Sequence, residues 1–341
     1  MSITAAILGC AGPTLSAEEV AFFRHVRPWG FILFGRNVQS PDQVRRLVDA
    51  LRSTVDRDDA PVLIDQEGGR VQRLGPPHWG RYPPGRAYGQ IAGNDPLTRR
   101  EITRLGARLM AHDLKALGIN VDCVPVLDVP DPLGHEIIGD RAYGQTPDEV
   151  AVLGRAAAEG LIAGGVLPVI KHIPGHGRAK ADSHLELPVV DAPWDELDAR
   201  DFAPFRALSD MPMAMTAHVI YAAIDRKRPA TTSKKAFRKA IRGAIGFEGL
   251  VMSDDLSMKA LSGDFTERAR ASLAAGCDVV LHCNGGMDEM KAVVAGTCAL
   301  KGRAAARAKA ALARLARSVE PFDVAEGRAR FDAAFDGTFA S

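Results

Sequence analysis

The chain has 341 residues, of which 46% are hydrophobic and 25% charged, a balance that supports a large buried core and argues against disorder. Its 43 basic and 42 acidic residues leave a formal net charge of +1, so no global field draws in nucleic acid or anionic lipid. Any recognition of an anion has to be local. The five cysteines (Cys10, Cys123, Cys277, Cys283 and Cys298) are odd in number and form no C-x-x-C pair, which suits reduced thiols better than a disulfide or zinc framework.

Residues 1–12 are apolar, and Ile7-Leu8-Gly9-Cys10 is faintly similar to a lipoprotein cleavage site. The stretch has no basic flank and is too short for a signal peptide. No run approaches the ~20 apolar residues of a membrane span, so the expected location is cytoplasmic.

Short β-branched runs alternate with longer segments of helical period. Strands are expected at 4–8, 30–34, 61–65, 121–125, 167–171, 214–218, 250–253 and 278–282, each an apolar run bounded by Gly, Pro or Asp, as in parallel strands buried on both faces. Ser16 followed by Glu19 forms a capping box, and Ser40-Pro41 and Thr146-Pro147 place a capping residue before a first-turn proline. Ser233 opens a helix with Ala236, Phe237, Ala240, Ile241 and Ala244 on one stripe and basic residues opposite. An Ala- and Arg-rich segment, 301–319, reads as a terminal helix covering the core. Eight strands alternating with helices, in one composition regime, predict an α/β fold: a single (β/α)8 TIM barrel domain over 1–341. The runner-up is a doubly wound open sheet, weakened by the lack of a G-x-G-x-x-G or Walker loop after the first strand.

In a barrel, reactive groups gather where strands end and the following loops begin. Here Asp65 ends the third strand, Lys171-His172 the fifth, His218 the sixth and Ser253-Asp254-Asp255 the seventh. A strand buried on both faces has no structural reason to finish repeatedly on ionisable side chains, so these residues together mark a candidate site. The loop after the fifth strand is the richest in polar groups. Gly175 and Gly177 permit tight turns there, and Pro174 stiffens its start. Asp182 and His184 are spaced so that the carboxylate can orient the imidazole and support its charge. The spacing also allows an unrelated histidine beside a loop-ordering aspartate.

Seven motifs occur in order: Asp65-Gln-Glu-Gly-Gly-Arg-Val-Gln-Arg73, Pro125-Val-Leu-Asp128, Asp140-Arg141, Lys171-His-Ile-Pro-Gly-His-Gly177, Asp182-Ser-His184, Met215-Thr-Ala-His218 and Ser253-Asp-Asp-Leu-Ser-Met258. In these the chain resembles glycoside hydrolase family 3, specifically its single-domain bacterial β-N-acetylhexosaminidases. Ile173 departs from the Phe usual there. The resemblance implies Asp254 as nucleophile, Asp255 as a variable neighbour, His184 as general acid/base and Asp182 as its partner. It further implies that Asp65, Arg73, Arg141, Lys171 and His172 hold a terminal N-acetylglucosamine. The family's larger members carry a second α/β domain that can supply the acid. This chain is expected to draw it from the barrel.

The implied reaction is a retaining exo-cleavage of β-linked N-acetylglucosamine from muropeptide fragments of recycled peptidoglycan, with no cofactor, metal, nucleic acid or membrane partner. A phosphorylase is an alternative, since a histidine acid/base leaves no carboxylate to repel phosphate. A metal-dependent barrel hydrolase using His172, His176, His218 and Asp254 is more remote, because the first strand has no H-x-H pair. A Schiff-base aldolase on Lys171 is remoter still.

Overall fold

The computed structural model describes residues 2–91, 95–134, 136–179, 183, 186–316 and 318–339. Eight parallel strands close into a barrel: β1 (Thr4–Gly9), β2 (Pro28–Leu33), β3 (Val62–Ile64), β4 (Val121–Asp122), β5 (Leu167–Ile173), β6 (Met213–Thr216), β7 (Leu250–Asp255) and β8 (Val279–His282). Each pairs with its neighbours in chain order, and Ala6, Ile7 and Leu8 align with Val280, Leu281 and His282 to close the ring. Every expected strand is present. The fourth is shorter than expected, Val121–Asp122, although the N–H groups of Val169 and Lys171 in β5 still donate to the Val124 and Pro125 carbonyls.

The two-residue period of the strands sorts side chains into two compartments. Ile7, Ile32, Leu63, Val169, Met252 and Leu281 pack with one another inside the barrel. Ala6, Leu8, Phe31, Leu33, Val62 and Ile64 turn outward and pack with apolar residues of the surrounding helices. Helix Gly302–Ala313, the expected terminal helix, adds Ala308 and Ala311 to the interior cluster and so covers one end of the barrel. Cys10, Cys123, Cys277 and Cys283 are buried free thiols, and Cys298 is an exposed one.

The expected helix starts form as the local sequence directs. Ser16 Oγ accepts the Glu19 N–H at 3.1 Å while Glu19 Oε2 accepts the Ser16 N–H at 2.8 Å. Ser40 and Thr146 cap helices Pro41–Val55 and Pro147–Ala163, each with its proline in the first turn. Ser233 also caps, but the chain from Phe237 to Ala244 is wound as a π-helix. Wider winding keeps Ala236, Phe237, Ala240 and Ile241 buried and leaves Ala244 only partly covered.

Beyond β3 the chain turns back in a small hairpin, Gln66–Gly68 against Val71–Gln72. Gly68 has φ +93, and a Cβ there would stand 2.2 Å from the Pro83 carbonyl oxygen, so only glycine fits. Buried Gln66 holds the hairpin: its Oε1 accepts the N–H groups of Arg73 and Leu74, both at 3.0 Å.

Candidate active site

The carboxyl ends of the strands enclose a cavity of about 330 Å³ whose walls include Asp65, Glu67, Arg73, Arg141, Lys171 and Asp254. Its first half is a chain of alternating charges. Arg73 Nη2 lies 3.3 Å from Asp65 Oδ2, and Lys171 Nζ lies 2.9 Å from Asp65 Oδ1 and 2.6 Å from Glu67 Oε1. Arg141 closes the chain by donating from Nε and Nη2 to the two oxygens of Glu67, each at 2.8 Å. Three cations against two carboxylates leave the cluster one positive charge in excess.

Burial would push the Asp65 carboxyl up, but Lys171 and Arg73 outweigh it and hold the group below the ordinary carboxylate range. Burial likewise opposes ionisation of Glu67, and Arg141 and Lys171 hold that carboxyl far below its ordinary value. Lys171, whose charge burial disfavours, is held charged and above its usual range by Asp65 and Glu67. Its charged state removes the basis for a Schiff-base aldolase, which needs a neutral amine.

Glu67 is thus a fixed anion that orients Arg141 and Lys171. Arg141 in turn has both Glu67-facing donors engaged and gives Nη1 to the Ile137 carbonyl at 3.2 Å, so its free hydrogen-bonding capacity toward a ligand is small.

His172 is oriented by a residue that the sequence motif contained without an assigned role. Asp128 Oδ2 lies 2.7 Å from His172 Nδ1, while Oδ1 accepts the N–H groups of His172 at 3.2 Å and His176 at 2.6 Å. Burial works against this carboxylate, and His172 and His176 hold it below the usual range. Nδ1 is thereby committed to Asp128, which leaves Nε2 as the nitrogen able to meet a ligand. The signal in the sequence was an aspartate three residues beyond a strand-ending proline, but its histidine lies 44 positions away.

The second half of the cavity is formed by β6 and β7. Asp254 is the penultimate residue of β7, and its Oδ1 accepts the Asp255 N–H at 2.8 Å. Burial raises its pKa, but the imidazoles of His218 and His172, the Asp255 N–H and Lys171 together hold it below the usual range. Asp255 is spent on structure: Oδ1 accepts the N–H groups of Ser257 and Cys283, both at 3.1 Å, and Oδ2 accepts the Ser257 hydroxyl.

His218 is fully buried, with Nε2 3.0 Å from the Asp255 carbonyl and Nδ1 2.7 Å from Thr231 Oγ1. Burial holds its pKa below the ordinary value, which fits a neutral ring donating from Nε2 and accepting at Nδ1. With both nitrogens committed, His218 is a poor metal ligand. Among the described residues no group of three or more His, Cys, Asp or Glu side chains could hold a metal ion. Asp182 and His184 lie outside the described residues; Ser183 between them is described and borders the cavity.

Residues 9–318 match the glycosyl hydrolase family 3 N-terminal domain. Over 277 residues the chain is 43% identical to a protein of Methylococcus capsulatus named beta-hexosaminidase, covering 80% of each chain. A beta-hexosaminidase of Alkalilimnicola ehrlichii is 42% identical over 282 residues, 82% of this chain and 80% of the relative. Among solved structures, NagZ from Neisseria gonorrhoeae in complex with N-trifluoroacetyl-D-glucosamine superposes with a TM-score of 0.86 at 31% identity, over 98% of both chains. A β-N-acetylhexosaminidase from Beutenbergia cavernae superposes with a TM-score of 0.75 at 28% identity, over 97% of this chain and 96% of that one. A closed (β/α)8 barrel, the strand-end motifs and these likenesses agree: the chain belongs to glycoside hydrolase family 3 and is a glycosidase.

Proposed function

We propose that the chain is a retaining exo-β-N-acetylglucosaminidase, one barrel domain over 1–341 working in the cytoplasm on N-acetylglucosamine-anhydro-muramyl peptides released from the cell wall. The names of its relatives support the hexosaminidase activity, and the ligand of the gonococcal enzyme supports an N-acylated glucosamine in the cavity. Among the described residues no helix is long and apolar enough to cross a membrane. The observation that carries the mechanism is the contrast between two adjacent carboxylates. Both border the cavity, but among the described residues Asp254 accepts one hydrogen bond, from its neighbour's N–H, whereas Asp255 is bonded to Ser257 and Cys283.

In the proposed double displacement, an Asp254 oxygen attacks the anomeric carbon as the bond to the leaving oxygen breaks. His184, as imidazolium, gives its proton to that oxygen, and Asp182 orients and charges the ring. The neutral His184 then takes a proton from water, whose oxygen attacks the anomeric carbon and releases Asp254. Asp65, Arg73 and Lys171 present fixed acceptors and donors for sugar hydroxyls, His172 offers Nε2, and Arg141 acts chiefly through Glu67. A fluorinated analogue that keeps the 2-acetamido group, carries a good leaving group and slows deglycosylation should trap a sugar on Asp254. Trapping on Asp255, or a first product of inverted configuration, would overturn the mechanism.

A further inference from the structure

The loop after β5 begins on a stem fixed from several sides. The Gly175 carbonyl accepts the Tyr221 hydroxyl at 2.5 Å, and the His176 N–H donates to Asp128. Gly177 sits so close to the Val129 carbonyl that a Cβ would come within 1.9 Å of its oxygen, and its own carbonyl accepts the Asp131 N–H at 3.1 Å. From this stem His176 reaches Ser183: Nε2 lies 3.1 Å from Ser183 Oγ, and both residues are 3% exposed. A second bond comes from another element, the Ala260 N–H donating to the Ser183 carbonyl at 3.2 Å.

His176 has no place in the chemistry proposed above. Burial lowers its pKa to about 4, so the ring is neutral at neutral pH. Its Nδ1 is buried with no hydrogen-bond partner among the described residues. A ring nitrogen left in that state costs stability, and an apolar side chain would fill the same space without that cost. What the imidazole provides, and an apolar group cannot, is the contact with Ser183.

We propose that His176 and Ser183 are positioning residues for proton transfer. Their contact, with the Ala260 N–H, fixes the backbone point from which residues 182 and 184 depart on either side. Asp182 and His184 are each one peptide unit from that point, about 3.8 Å from Cα to Cα, so the Ser183 anchor limits where their side chains can work. The inference rests on the proposed role of His184.

The test compares kcat/KM, which reports the steps through departure of the leaving group, on an activated nitrophenyl β-N-acetylglucosaminide and on an alkyl β-N-acetylglucosaminide. His176→Leu and Ser183→Ala should each lower kcat/KM on the alkyl substrate by about 3- to 10-fold, the worth of one modest hydrogen bond, and leave the activated substrate nearly unchanged. His176→Gln, which keeps a donor at the end of its side chain, and Ser183→Thr should recover most of the loss. Equal losses on both substrates, or no loss on the alkyl one, would overturn the positioning role. Ser183→Ala keeps the test usable if His176→Leu fails to fold. His184→Ala, measured alongside, separates the two failures. If it shows no leaving-group dependence, the assigned acid falls and the positioning role with it. If His184→Ala shows the dependence and the His176 and Ser183 variants do not, only the positioning role falls.

Discussion

The two halves of the cavity achieve order by opposite means. On the β3 and β5 side, Arg73, Asp65, Lys171, Glu67 and Arg141 alternate in sign and hold one another in place. On the β6 and β7 side, a neutral His218 holds the Asp255 carbonyl, Asp255 is bonded to Ser257 and Cys283, and Asp254 lines the cavity with one hydrogen bond among the described residues. The first arrangement suits ground-state binding, because paired charges in a poorly hydrated site need little reorganisation when a polar ligand arrives. The second suits reaction, because a nucleophile must leave its hydrogen bonds to form a covalent one. Asp254 has few to leave.

The comparison is most exposed at Asp254. Asp254→Asn should lower kcat/KM on an aryl β-N-acetylglucosaminide by roughly 10⁴- to 10⁶-fold, the scale of losing a nucleophile. Asp255→Asn disturbs Ser257 and Cys283 instead and should cost far less. Equal losses would erase the difference between the two carboxylates.

The binding half is tested at Glu67, whose side chain is 7% exposed and faces Arg141 and Lys171 at 10% and 3%. Glu67→Gln leaves two buried cations short of a partner and should destabilise the fold by about 3–5 kcal/mol, measured by urea unfolding at neutral pH. The pH dependence has a definite sign. Because the folded carboxyl is held below its ordinary value, its stabilisation is full above the unfolded pKa and is lost as pH falls through the folded one. The variant should therefore lose less stability than the parent on acidification below about pH 4. A parallel loss would mean that Glu67 does not hold the cations in place.

Much of this architecture was legible in the sequence because local physics writes it there. Apolar runs ending on Asp65, Lys171, His218 and Asp254 marked both the strands and the rim of the cavity, and Ser16, Ser40 and Thr146 announced their helices. What stayed hidden depends on partners distant in the chain. Glu67 looked like one more acid beside Asp65, until Arg141, 74 positions on, was seen to grip both its oxygens. Asp128 had no visible task without the fold that brings His172 and His176 onto it. The π-winding at Phe237–Ala244 was also illegible, since its stripe of apolar residues fits an α-helix equally well.

A smaller effect is expected at His218, and it sharpens the account of the reactive half. His218→Ala removes the donor to the Asp255 carbonyl without touching a charged group of the binding half. It should lower kcat by about 3- to 10-fold with little change in KM, the worth of one hydrogen bond. His218→Gln, which can still present an N–H, should recover part of the loss. A rise in KM with kcat unchanged would move His218 to the binding side.

Near pH 4 the smallest effect is expected at Asp122, which lies beneath the binding half. This carboxyl is fully buried, its Oδ1 accepts the Gln66 N–H at 3.0 Å, and Oδ2 has no hydrogen-bond partner among the described residues. Burial raises its pKa well above the ordinary value, and the help of Gln66 and Lys171 does not offset it. Asp122 therefore contrasts with Asp65 and Glu67, which are also largely buried but ionised because cations touch them. A carboxyl that binds its proton more tightly folded than unfolded gives the opposite pH dependence. The native state holds a proton that the unfolded state releases, so stability from this group falls as pH rises above the unfolded pKa of about 3.9. Asp122→Asn keeps the acceptor for Gln66 and removes the titration. The variant should stay within about 1 kcal/mol of the parent near pH 4 and gain on it steadily toward pH 7 in urea unfolding. A variant that instead loses ground as pH rises would show that Asp122 is ionised in the folded protein, and that the alternating chain of charges extends one residue deeper than Asp65 and Glu67.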